Sequence, residues 1–228
     1  MRISEIFVSL QGEASRALLP TVFVRLQGCN LRCHWCDTIY AQDIEDGEVM
    51  SAEKVVEKVE GFGIQEVCVT GGEPLLQKDT PDLLCRLCAR GFKVSLMTNG
   101  TCLLDRVPRE VAKIVDIKTP WAQQADVPPS FLDEFKKLPP YGFRMENLSF
   151  LTKMDEVKFV VRSRSEFDWA IHWVRAQNLF DRVAHVFVGP AFGILSPDTL
   201  AQWIIASRLP VRLNLQLHKF IFGKDTRL

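Results

Sequence analysis

Apolar residues along this chain switch repeatedly between a period near two and a period near four. Short β-branched runs bounded by glycine or polar residues read as strands: TVFVRLQG (21–28), EVCVTGG (66–72), KVSLMTNG (93–100), KIVDIKT (113–119), DEVKFVV (155–161), HVFVG (185–189) and VRLNLQLHK (211–219). Helical spacing lies between them. SAEKVVEKVEGFG (51–63) opens on a Ser51 cap and sets Val55, Val56 and Val59 on one face. PDLLCRLCARG (81–91) has Pro81 near its start and Gly91 at its stop, and SRSEFDWAIHWVRAQN (163–178) and PDTLAQWIIASR (197–208) follow the same period. Six or seven strands, several followed by helices, predict an α/β fold with a largely parallel sheet. A full eightfold (β/α) barrel takes about 250 residues, so 228 residues predict an incomplete, open one. Pro120, Pro128, Pro129, Pro139 and Pro140 break residues 119–153 into an irregular excursion, with short helices expected around SFLDEFKKL and ENLSFLTKM. Residues 1–228 are expected to form a single domain, without internal repeats.

Composition narrows the picture. With 47% apolar residues the chain can bury one sizeable core, and no apolar run approaches the ~20 residues of a membrane span. Lysine plus arginine equals aspartate plus glutamate at 28 each, which argues against a general nucleic-acid coat. The seven cysteines are an odd number, and Met1 leads into RISEIFVSL without a signal-peptide pattern. Reduced thiols in a cytoplasmic setting are expected rather than a disulfide framework.

Three cysteines carry the sharpest chemical signal. Cys29, Cys33 and Cys36 stand in CNLRCHWCDT with C-x3-C-x2-C spacing. Three thiolates on one tight loop can hold three irons of a [4Fe-4S] cube and leave the fourth without a protein ligand. Structural zinc is the alternative, but it wants four protein ligands, usually as two separated pairs, and His34 between two of the cysteines would be strained as a fourth. Cys85 and Cys88 fall among the apolar positions of their helix and are expected as core thiols, with Cys68 and Cys102 buried or partly so.

The remaining polar motifs gather at one end of the predicted sheet. In parallel α/β sheets ligands sit outside the carboxyl ends of strands. The cysteine loop follows the strand 21–28; Thr70, Gly71, Gly72 and Glu73 follow the next; Thr98, Asn99 and Gly100, then Asp116, Ile117 and Lys118, end the following two. Gly189 and Pro190 close a later strand, and His218 and Lys219 the last. Taken singly, TGGEP and TNG are also ordinary turn strings. Their convergence is the argument for one site.

The cysteine triplet with Trp35 before its last cysteine, followed some thirty residues later by a strand ending in GGEP, resembles the radical S-adenosylmethionine (radical SAM) superfamily. Within it, SLQGEA, VRLQGCNLRCHWCDT, VTGGEPLLQ, MTNGT, VDIKTP and QLHK are similar, in order and over nearly the whole chain, to the 7-carboxy-7-deazaguanine synthases. LQGE and CDT are the discriminating elements. Ala14 follows LQGE where that family often has glycine, and the tail IFGKDTRL runs past QLHK farther than in the shortest members.

The resemblance implies a fold, a reaction and a site. Cys29, Cys33 and Cys36 would hold a [4Fe-4S] cluster, the open iron would be chelated by the amine and carboxylate of SAM, and the GGEP backbone would hold that amine. SAM would lie across Gly72, Thr98, Asn99, Asp116, Ile117, Lys118, Gly189, Pro190, Ala191 and Phe192. The reaction would convert 6-carboxy-5,6,7,8-tetrahydropterin to 7-carboxy-7-deazaguanine: a 5′-deoxyadenosyl radical takes hydrogen from C6, and ring contraction and loss of ammonia follow. An external electron donor such as a flavodoxin or ferredoxin and a homodimer are expected with it. A glycyl-radical-enzyme activase and a non-enzymatic zinc module are the rival readings; LQGE and CDT argue against the first.

A carboxylated pterin asks for backbone donors and acceptors at its guanidine-like edge and a cation at its carboxylate. Leu10, Gln11 and Gly12 offer the backbone, Arg25 the bidentate cation, Thr70 a hydroxyl, and His218 with Lys219 a reach from the last strand. An ordinary salt bridge is the alternative for Arg25. Thr38 resembles the family's Mg2+ ligand; magnesium keeps most of its waters, so one protein oxygen suffices. Asp37 is placed to orient that shell or simply to form a turn.

Overall fold

The structure, a computed structural model, describes residues 1–124, 126 and 137–223. Nine strands form one sheet in the order β3-β1-β2-β4-β5-β6-β7-β8-β9. They are β1 (Arg2–Leu10), β2 (Pro20–Leu26), β3 (Glu48–Val49), β4 (Glu66–Gly71), β5 (Lys93–Thr98), β6 (Ala112–Asp116), β7 (Glu156–Val161), β8 (His185–Pro190) and β9 (Val211–Leu213). From β2 to β9 every pairing is parallel, and β1 runs antiparallel to both β2 and β3. Described strands β3 and β9 end the sheet without pairing to each other, so the barrel is open.

The helices are α1 (Ala52–Glu60), α2 (Thr80–Ala89), α3 (Arg164–Ala176), α4 (Leu179–Arg182), α5 (Pro197–Ser207) and α6 (Leu217–Ile221). Their starts follow capping chemistry. Ser51, Ser163 and Ser196 each accept a hydrogen bond from the backbone N–H three residues on, satisfying one of the donors that a helix start leaves unpaired. Val55, Val56 and Val59 of α1 and Leu83, Leu84 and Leu87 of α2 are buried and join strand valines in one continuous core. A cluster of Trp121, Phe159, Trp169 and Trp173 seals β7 against α3.

The concave face is filled differently. The chain between β1 and β2 crosses the inside of the curved sheet, where Ala14 packs on Ile114 and Phe187. The crossing is tied at each end: Arg16 pairs with Glu66 at 3.0 Å, and the Ala14 N–H donates to Asn214 Oδ1 at 2.8 Å. Ala14 sits there at φ +63°, a left-handed conformation that costs a residue with a Cβ about 1–2 kcal/mol. That conformation would suit glycine, which lacks the Cβ.

The seven parallel strands correspond to the seven runs read from the sequence, with four differences in the reading as a whole. β1 and β3 were not among those runs: β1 is only partly covered on both faces and its register shifts between Ile3 and Glu5, which blurs its alternation. The run 211–219 is not one strand. β9 ends at Leu213 because Asn214 turns to Ala14 and Glu13, and the Leu217 N–H bonds to Gly12 O at 3.0 Å, after which α6 begins. Cys85 is exposed and Cys88 only half-buried, because the apolar stripe of α2 runs through Thr80, Leu83, Leu84 and Leu87 and leaves Cys85 on the outer flank. The expected helix around ENLSFLTKM is a 3-10 turn over Met145–Phe150. That around SFLDEFKKL lies almost wholly outside the described residues.

Candidate active site

A cavity of about 630 Å³ opens at the carboxyl ends of the strands. Its floor and walls start with the loop after β2. Gly28 takes φ +99° to leave the strand, and the N–H groups of Gly28 and Cys29 bond Ala41 O (2.9 Å) and Gln42 O (3.0 Å). The Cys36 N–H closes a turn on Cys33 O at 3.1 Å, and the Leu31 N–H donates to Cys29 Sγ at 3.4 Å. All three cysteines line the cavity. Burial raises the Cys29 thiol and pushes Cys33 up to about 11, the latter against the attraction of Lys118. Iron binding therefore has to expel protons from these sulfurs.

The donor set fits an iron–sulfur cluster. Three soft sulfurs converge on one cavity, and one already accepts a backbone N–H, the kind of bond that stabilises a sulfur ligand. Among the described residues no group of three or more His, Cys, Asp and Glu side chains is arranged to hold a single ion, so the tetrahedral ligand set of structural zinc is not found there.

The GGEP turn locks against this loop. The Glu73 N–H bonds Gly28 O at 2.8 Å, and a Cβ on Gly72 would lie 2.4 Å from Gly28 O and 2.6 Å from Cys29 Cβ, so only glycine permits the approach. Glu73 itself is fully buried and accepts from Leu75 N–H (3.0 Å), Thr98 Oγ1 (2.9 Å) and Asn99 N–H (2.7 Å). Burial raises its carboxyl, with the hydrogen bonds opposing. Its side chain thus splices the ends of β4 and β5. Asn30 adds a tie from the cysteine loop to Thr101 at 2.9 Å.

A chain of alternating charges crosses the cavity. Lys118 meets Asp116 at 2.9 Å, Asp116 meets Lys158 at 3.0 Å, and Lys158 pairs closely with Glu13. Gln216 then bridges Glu13 (3.1 Å) to Asp37 (3.0 Å), and Asp37 pairs with Lys219 at 2.9 Å. Burial would raise Glu13 and Asp116, but the adjacent ammonium groups outweigh it and hold both carboxyls below their usual range. Burial would lower Lys158, yet Asp116 and Glu13 carry it well above the ordinary lysine value. Lys219 and Thr38 likewise depress Asp37 against its burial.

Arg25 forms a salt bridge, the alternative reading for it, and also lines the cavity. Its Nε donates to Glu5 at 2.6 Å, Tyr40 Oη donates to the same carboxylate at 2.8 Å, and the guanidinium lies over the rings of Phe7 and Tyr40 and lines the cavity. Thr38 Oγ1 donates to Asp37 Oδ1 at 2.9 Å. His218 packs on Gly12 so closely that a Cβ there would stand 2.0 Å from Nδ1, and burial lowers the imidazole's pKa, favouring the neutral ring.

The structure brings most of the sequence-derived residues to this cavity: Leu10, Gln11, Gly12, Arg25, Cys29, Cys33, Cys36, Thr38, Thr70, Gly72, Thr98, Asn99, Asp116, Lys118, Phe192 and His218 line it. Four do not. Ile117 is buried in the apolar core, Gly189 is pressed against Asn214 of the next chain segment, and Pro190 and Ala191 are buried beside Val161. Glu13, Lys158 and Gln216 were not singled out. A lysine inside the apolar strand DEVKFVV was the available signal for Lys158, since an unpaired lysine is rarely buried.

The model of the radical SAM superfamily matches residues 23–121, the half of the sheet that carries the cysteine loop and GGEP. The chain is 38% identical to a 7-carboxy-7-deazaguanine synthase of Koribacter versatilis over 100% of its own length and 99% of the relative's. It is 40% identical to that of Chlorobaculum tepidum over 100% and 96%. The chain belongs to the 7-carboxy-7-deazaguanine synthase family. Its fold matches QueE from Escherichia coli with a TM-score of 0.69 at 23% identity, covering 95% of this chain and 94% of the other. As a radical SAM enzyme of that family it uses a [4Fe-4S] cluster and SAM.

Proposed function

We infer that this chain is a radical SAM carbon–nitrogen lyase that converts 6-carboxy-5,6,7,8-tetrahydropterin to 7-carboxy-7-deazaguanine with loss of ammonia, a step of queuosine and other deazapurine biosynthesis. The observation that carries it is the full-length kinship with 7-carboxy-7-deazaguanine synthases, joined to three cysteines that share one cavity. When bound, the cluster and SAM supply the organic radical chemistry.

The chain's own residues do the rest. Cys29, Cys33 and Cys36 are assigned to the cluster. Gly72, Thr98, Asn99, Asp116 and Lys118, spliced by Glu73, are assigned to SAM. Leu10, Gln11 and Gly12 are assigned to the pterin edge through backbone groups, Thr70 through its hydroxyl, and Arg25 and His218 through their side chains; all line the cavity. Ordering these groups around one cavity holds the reacting atoms together, a main part of what such a protein contributes. Thr38 is assigned to Mg2+, with Asp37 orienting its hydroxyl. A flavodoxin- or ferredoxin-type donor, a homodimer and a cytoplasmic setting complete the proposal. The last is supported by seven unpaired thiols and by the absence, among the described residues, of a helix long and apolar enough to cross a membrane.

One anaerobic assay tests the reading. Reconstituted protein should hold about four irons and four sulfides and, given the carboxylated pterin, SAM and a reductant, release 7-carboxy-7-deazaguanine and ammonia at a rate that rises with Mg2+. Protein loaded with the cluster that cleaves SAM but leaves the pterin intact would overturn the substrate assignment.

A further inference from the structure

The segment from Cys29 to Cys36 has little backbone bonding of its own. Past Cys29, whose N–H bonds Gln42 O at 3.0 Å, and beyond the turn between Cys33 and Cys36, its described main chain reaches a neighbouring element through the His34 N–H, which donates to Ala122 O at 2.8 Å. A loop so sparsely tied needs side chains to fix where its sulfurs stand. Trp35 lines the cavity, and its ring is covered by the guanidinium of Arg162, 4.6 Å from the ring centroid.

Arg162 is unusually well built for that contact. It follows β7, is buried, and does not itself line the cavity. Its edge donors are consumed in the guanidinium plane: Nε and Nη2 bond Glu166 Oε1 (3.3 and 2.9 Å), Nη2 also bonds Trp121 O (3.0 Å), and Nη1 bonds Gln124 O (2.6 Å). Glu166 is held in turn by Thr119 Oγ1 (2.9 Å) and the Arg162 N–H (2.6 Å). A planar cation anchored along its rim presents its face, and the face meets Trp35. The carbonyls it grips at Trp121 and Gln124 belong to the same turn that receives His34. One buried cation therefore ties β7, the turn after β6 and the cysteine loop together.

We propose that Arg162 is a positioning residue for the iron–sulfur cluster, clamping Trp35 so that Cys33 and Cys36 are held in place for iron. The proposal rests on the cluster assignment and extends it to a residue outside the cavity. A desolvated cation–π contact corresponds to roughly 2- to 30-fold in an equilibrium. Lysine cannot replace arginine here, because an ammonium has neither the rim of donors nor the flat face.

The test compares anaerobically reconstituted wild type, Trp35→Leu, Trp35→Phe, Arg162→Lys and the Trp35→Leu/Arg162→Lys double variant. Iron release to excess chelator is followed by loss of visible absorption, the reduced cluster is recorded by electron paramagnetic resonance, and each metal-free protein is melted. Trp35→Leu should lose iron about 2- to 30-fold faster and broaden the resonance, at a melting temperature close to wild type. Trp35→Phe should restore most of the retention. The double variant should lose iron no faster than the worse single variant, since both changes break one contact. Arg162→Lys risks misfolding by leaving Glu166 buried and poorly paired, and the two Trp35 variants decide the question without it. Trp35→Leu holding its iron as firmly as wild type, or additive effects in the double variant, would overturn the clamp alone. A wild type that takes up no iron and sulfide would overturn the cluster assignment and the clamp with it.

Discussion

For Arg25, the salt bridge in the structure and the proposed role at the substrate carboxylate call on different atoms. Its Nε is spent on Glu5, while the guanidinium lies at the cavity wall. The Glu5 pair is partly exposed, so losing it should lower stability by no more than about 1 kcal/mol. Removing a desolvated bidentate partner from a ligand costs more, ~2 to 5 kcal/mol. Arg25→Ala should therefore weaken pterin binding at least about 30-fold and leave SAM affinity within about threefold, with Arg25→Lys recovering part. Calorimetric titration with each ligand decides: equal losses for both would mean that Arg25 only supports the fold. Arg25 was legible as a candidate because it stands on the strand leading into the cysteine loop, with an ordinary salt bridge as the alternative. Its pairing with Glu5 was not, since that depends on the antiparallel register of β1 and β2, which sets Glu5 opposite Arg25.

At the scale of elements, the contact between β8 and the chain leaving β9 gives Gly189 a packing role. Sequence position suggested that it backs SAM. In the fold a Cβ there would stand 2.5 Å from Asn214 O, and Asn214 is the residue that bonds Ala14 and Glu13. Gly189→Ala should force these segments apart at an overpacking cost of ~1 to 3 kcal/mol, lowering the melting temperature by roughly 2 to 12 °C. SAM affinity, measured separately on the folded protein, should change little. A large loss of SAM binding at unchanged melting temperature would return Gly189 to the SAM site. The misread run 211–219 has the same origin. Its alternation is compatible with a strand, and only the hydrogen bonds of Asn214 and Leu217 to the 12–14 segment turn it away from the sheet.

The whole molecule is sensitive to pH through the buried charges that cross the cavity. Glu13 and Asp116 are held below their ordinary values of 4.5 and 3.8, so the stability they confer is complete above those values and drains as pH falls through the lower folded ones. Lys158 is held above 10.5, so its share is complete below that pH and drains as pH rises through the folded value. Melting temperature should therefore show a plateau between about pH 5 and 10 from this network. Lys158→Met leaves buried Glu13 without a cation and Asp116 with Lys118 alone, at ~3 to 5 kcal/mol, or roughly 6 to 20 °C at pH 7. Without the cation those carboxyls favour protonation, so part of the loss should return as pH falls toward 5. A variant melting within 2 °C of wild type across that range would show that the charges are solvated and independent.

The sequence by itself determined the seven parallel strands, most of the helices and the end of the sheet at which the chemistry gathers. Those features are written locally: alternation sets a strand, a serine cap and valine spacing set α1, and cysteines on one short loop remain together however the rest folds. Kinship with a family of enzymes was likewise legible in short motifs, from QLHK to VRLQGCNLRCHWCDT. What only the tertiary structure decided are pairings between distant residues, where Lys158 meets Glu13 across 145 positions and Gln216 meets Asp37 across 179. The partner of a buried charge, the face of α2 that turns outward with Cys85, and the arginine beneath Trp35 all depend on which strands become neighbours. Sheet order is a property of the whole chain, and no window of the sequence contains it.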